Sequence, residues 1–74
     1  MTNAAKVITF EVKETMCDAI ETLLKEGRSV TVRFHCNVES KKLIKSVLEN
    51  FTDMLKLIPV ADEEKLVVYD VCLK

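Results

Sequence analysis

Glycine and proline occur once each in this chain, as Gly27 and Pro59, and tryptophan does not occur at all. One glycine cannot build a phosphate-cradling loop, which needs several, so no nucleotide-binding fingerprint is present. Neither sign of charge dominates: 11 Lys and Arg stand against 12 Asp and Glu, for a net charge of −1. Bulk attraction to nucleic acid or to an anionic membrane is therefore excluded, and any such binding has to use a local patch. No apolar stretch approaches the roughly 18 residues that span a bilayer. The three cysteines, Cys17, Cys36 and Cys72, form no close pair and no zinc-ligand spacing. With no signal-peptide pattern in the sequence, the expected setting is a reducing cytoplasm. Seventy-four residues, nearly half apolar and about a third charged, amount to one ordinary globular domain with a modest core.

What the chain does have is periodicity. Met1 to Ala5 reads as a polar, frayed end. Lys6 to Val12 alternates, with Ile8, Phe10 and Val12 on one face and Val7, Thr9 and Glu11 on the other, which predicts a strand. Thr15 is then the N-cap of a helix, with Asp18 three residues on. Met16, Ile20, Leu23 and Leu24, with Ala19 and Cys17 alongside, form its apolar stripe, and Gly27 ends it. Val30, Val32, Phe34 and Cys36 turn inward on a second strand, while Thr31, Arg33 and His35 turn outward. Asn37 or Ser40 caps a longer helix whose apolar positions Leu43, Ile44, Val47, Leu48, Phe51, Met54 and Leu55 carry it to just before Pro59. Asp62-Glu63-Glu64 is a polar turn, and Lys65 to Leu73 is the strongest strand. Leu57 to Ala61 reads either as a strand in a hairpin with it or as a loop.

The predicted fold class is therefore α+β: a two-layer α/β sandwich, β-α-β-α-(β)-β, as a single domain over 1–74. Two helices cover one face of a mixed sheet and leave the other face open. The first strand-helix-strand unit is expected as a right-handed crossover. On the last strand both faces carry apolar residues: Leu66, Val68 and Cys72 on one, and Val67, Tyr69, Val71 and Leu73 on the other. One of these has to look away from the helices, giving a self-association or protein-binding face.

Catalytic chemistry is not indicated. His35 and Cys36 are adjacent on a strand, so they point to opposite faces and cannot work together as base and nucleophile. Carboxylates pair only in surface runs such as Glu63-Glu64. No cofactor, metal site or catalytic residue is expected. The one suggestive constellation is basic: Arg33 and His35 outward on the second strand, Lys41, Lys42 and Lys45 on the first turns of the second helix, and Arg28 at the strand's other end. Groups near a strand end and a helix N-terminus suit a phosphate backbone. The aromatic residues Phe10, Phe34, Phe51 and Tyr69 mostly take core-like positions, so base stacking on a sheet face is not supported.

The stretch Ala19-Ile20, Leu24-Lys25-Glu26-Gly27 and Val30-Thr31-Val32-Arg33-Phe34 resembles the carboxy-terminal domain of bacterial translation initiation factor 3. Val47 to Leu55 is similar to that family's second helix, and Lys65 to Lys74 to its final strand. Alba-type nucleic-acid-binding proteins share the general layout and are a second resemblance. The first resemblance implies a module that binds the small ribosomal subunit through its RNA, with contacts at Arg28, Arg33, Lys41, Lys42 and Lys45. The family's basic run after its Arg-Phe phrase is replaced here by His35-Cys36-Asn37-Val38. The alternative partner is a protein.

Overall fold

The structure is a computed structural model that describes residues 3–74, with side chains described from Lys6 onward. Its elements run α1 (Asn3–Glu26), β1 (Val30–His35), α2 (Val38–Glu49), β2 (Leu55–Glu63) and β3 (Leu66–Leu73). The three strands form one sheet in the order β1-β3-β2, antiparallel throughout rather than mixed.

The segment expected as a first strand, Lys6 to Val12, is instead the beginning of α1, and Thr15 lies inside that helix rather than capping it. The physical reason is visible in the residues. Ile8, Val12, Met16, Ala19 and Leu23 recur at spacings of three and four and all pack into the core. Phe10, which alternation places beside Ile8 and Val12, is 65% exposed on another side of the helix. No glycine or proline interrupts the chain before Gly27, so one helix runs unbroken to that point. Met1 and Thr2 of the expected frayed end lie outside the described residues, and Asn3 to Ala5 open α1. With that helix at the front, no parallel strand-helix-strand crossover forms.

Gly27 ends α1 as expected. Its φ is +68°, in the left-handed region, and its N–H closes on the Leu23 carbonyl at 2.8 Å. Leu24 and Cys17 turn out of the stripe into solvent. At the start of α2, Asn37 is the cap: its Oδ1 accepts from the Ser40 N–H (2.8 Å), and Ser40 Oγ accepts from the Asn37 N–H (2.9 Å). That helix is shorter than the apolar spacing predicts. It stops at Glu49, and Asn50 to Met54 form tight turns in which Thr52 Oγ1 donates to the Glu49 carbonyl (2.8 Å). Asn, Thr and Asp are poor helix formers, and Leu55 gains more as the first residue of β2, where it is fully buried opposite Leu73.

The open question at residues 57–61 resolves as part of β2, in a hairpin with β3 through Glu64-Lys65. Pro59 fits because β2 is an edge strand, and the register shifts between Pro59 and Ala61, a bulge. Inward on the sheet lie Val32 and Phe34, Val67 and Val71, and Leu55, all buried; Leu57 and Tyr69 pack at the margin. Ile44, Val47 and Leu48 of α2 join the α1 stripe above them. Both helices thus cover one face, as the sequence pattern indicates.

Candidate functional site

The sheet separates the basic residues that the sequence groups together. In β1 the buried residues alternate with exposed ones, so Thr31, Arg33 and His35 face away from the helices. Lys41 and Lys45 are on the helix side. Being i and i+4 on α2, they reach the same carboxylate: Lys41 Nζ lies 2.9 Å from Asp62 Oδ1, and Lys45 Nζ 2.6 Å from Asp62 Oδ2. Lys41 also donates to the backbone carbonyl of Glu63. Asp62 pairs with the buried Val67 across the hairpin, which fixes its side chain on the helix face.

The electrostatics follow from that clamp. Hydrogen bonds from Lys45 and then Lys41 hold the Asp62 carboxyl below its usual range. The Asp62 hydrogen bond raises Lys45 above the ordinary lysine value. Arg28, at the far end of β1, is paired with Glu26 at 2.9 Å. Lys42 is exposed on α2 and makes no ion pair among the described residues. Of the six basic candidates, then, Arg28, Lys41 and Lys45 are already matched to carboxylates, and Arg33 with His35 stands on a different surface from the lysines.

That different surface is the more distinctive one. The registers arrange the helix-free face in rows. His35, Leu66 and Glu63 share one level; Arg33, Val68 and Ala61 the next; then Thr31, Asp70 and Ile58; then Cys72 and Lys56. Thr31 Oγ1 donates to Asp70 Oδ1 at 2.8 Å, tying β1 to β3 on this side. The middle strand shows Leu66, Val68 and Cys72, none of them part of the core cluster under the helices. Val68 is only 7% exposed with no helix above it, being hemmed in by its neighbours on the sheet. Ile58 (42%) and the bulge residue Val60 (56%) are open to solvent on β2. The last-strand alternation in the sequence gives Leu66, Val68 and Cys72 as one of two faces that could be uncovered, and the register decides for it. Ile58 is missed there, because the sequence leaves residues 57–61 undecided between strand and loop.

Among the described residues no group of three His, Cys, Asp or Glu side chains is placed to hold a metal ion, and all three cysteines are free. No helix among them is long and apolar enough to cross a membrane. No protein-family model, curated protein or solved structure matches this chain.

Proposed function

We propose that this chain is a small, non-enzymatic protein-interaction module that associates with a second copy of itself through the open face of its sheet. The observation that carries the reading is the apolar side chains of that face, Leu66 and Val68 on β3 beside Ala61 and Ile58 on β2, with Cys72 beyond Asp70, left uncovered by either helix. Apolar side chains left without a helix over them on a sheet face mark an interaction site.

Self-complementarity favours a second copy. A twofold axis that runs along β3 between two such faces sets β1 of one copy over β2 of the other and keeps each row level. His35 then faces Glu63 of the second copy, Arg33 faces Ala61, and Val68 meets Val68. Three strands ~4.8 Å apart and eight residues long give a footprint of about 400 Å² per copy. That lies below the ~800 Å² per partner of standard stable interfaces, so the expected dimer is weak and concentration-dependent.

Light scattering of the purified protein across a concentration series tests this. The mass should climb from 8.4 kDa toward twice that value, and Ile58→Glu should hold it at monomer. A strict monomer at every concentration contradicts the proposal.

RNA contact is the second reading. It keeps the resemblance to initiation factor 3 and is favoured by Arg33 and His35, adjacent on the open face with no carboxylate partner among the described residues. It predicts affinity that falls steeply with added salt, and lysate partners lost on nuclease treatment.

A further inference from the structure

The outer edge of β1 is a second unpartnered surface among the described residues, and the ladder bonds fix its backbone phase. The Cys36 N–H donates to the Lys65 carbonyl (2.9 Å), and the Lys74 N–H to the Met54 carbonyl (3.3 Å). Strand residues alternate the side to which they turn their N–H and C=O. Val30, Val32 and Phe34 therefore exchange bonds with Val71, Tyr69 and Val67, and Thr31, Arg33 and His35 turn theirs away from β3. No other strand of the described chain lies on that side. The opposite edge, β2, is guarded by Pro59 and a bulge, which discourage further pairing. β1 has neither.

Helix α1 runs alongside this bare edge and makes it one wall of a groove. A cleft of about 300 Å³ lies between Ile8, Glu11 and Thr15 on the helix and Arg33 and His35 on the strand. A second hollow continues along Thr15, Asp18 and Thr22 against Thr31 and Arg33. The helix wall is acidic, with Glu11 and Asp18 about 10 Å apart along the axis.

We infer that β1 accepts an extended segment of a different protein as a fourth strand, with Lys or Arg side chains on its helix side and acidic or hydroxyl side chains on the other. The basic positions meet Glu11 and Asp18; the alternate positions lie beside Thr31, Arg33 and His35. A second copy of this chain fits the edge poorly. Pairing β1 with β1 about a twofold sets the Glu11 and Asp18 walls of two α1 helices against each other. One of its registers also stacks Arg33 on Arg33. The proposed face-to-face dimer leaves this edge free, so the two surfaces are tested separately.

The probe is a capped nine-residue peptide that alternates Lys with Glu and Thr, titrated into ¹⁵N-labelled protein. Binding should shift the Thr31, Arg33 and His35 amide signals and slow their exchange. N-methylating one set of alternate peptide residues should weaken binding about tenfold or more, and methylating the other set should not, because only one set turns its N–H toward β1. Arg33→Pro removes an N–H that the fold does not use, so the variant should melt like the parent yet lose the peptide. Thr31→Pro serves in its place should Arg33→Pro melt early. The inference is overturned by the absence of amide shifts, by equal tolerance of both methylated sets, or by a folded proline variant that binds as well as the parent.

Discussion

Asp62 holds α2 to the β2–β3 hairpin through two ammonium groups, so its titration should register in stability. Its folded pKa lies below the ordinary 3.8. The stability it contributes is therefore present above that ordinary value and is lost as pH falls through the lower folded value. Lys45 has the opposite sign: raised above 10.5, it contributes below that value, and the contribution fades as pH climbs through the raised one. Asp62→Asn should flatten both limbs of a melting-temperature profile; an unchanged profile means the clamp is idle. Gly27 makes a second single-residue test. Nothing lies within 4 Å of a Cβ built there, so only its φ of +68° opposes a side chain. Gly27→Ala should cost about 1 kcal/mol in urea unfolding, and Gly27→D-Ala should cost nothing or stabilise.

At the scale of elements, α1 is where the sequence misleads. Val7, Ile8, Thr9, Phe10 and Val12 combine strand-favouring side chains with alternation over seven residues. The competing helical spacing from Ile8 to Leu23 is longer and buries more, and tertiary packing decides for it. The two conformations differ in what they ask of Phe10. Val12→Ala should cost about 2 kcal/mol, as a core truncation does, while Phe10→Ala stays within about 0.5 kcal/mol. Comparable losses at both positions would mean that they share a buried face, as in a strand. The β1 alternation and the Gly27 stop were legible because each rests on a local rule with one outcome, whereas the α2 cap was legible only as Asn37 or Ser40, the two residues that share the capping box. The α2 terminus and β2 were not, since apolar spacing from Phe51 to Ile58 suits a helix and a half-buried strand equally. The β1 phase gives a further test: Val32→Pro, which breaks a ladder bond with Tyr69, should unfold a chain of this size, whereas Arg33→Pro should not.

For the whole molecule, the sheet is the divide. One side is sealed by α1 and α2, and the cations that belong to that side, Lys41 and Lys45, are spent on holding the hairpin. The other side carries Arg33 and His35 beside an apolar strip with no helix above it. In the sequence the six basic residues group as one cluster because alternation shows the strand faces but not the position of Asp62, 17 residues beyond Lys45. The apolar face was legible, because period-two alternation with apolar residues on both sides of β3 requires one to be uncovered. Its partner geometry is testable by charge exchange: Glu63→Lys should weaken association, and adding His35→Glu should restore it. The most direct test is sedimentation equilibrium of the parent and Ile58→Glu over a wide concentration range. A weak, reversible monomer–dimer equilibrium is expected for the parent and a monomer for the variant, both folded. A parent that stays monomeric throughout, or a variant that dimerises as well as the parent, would contradict it.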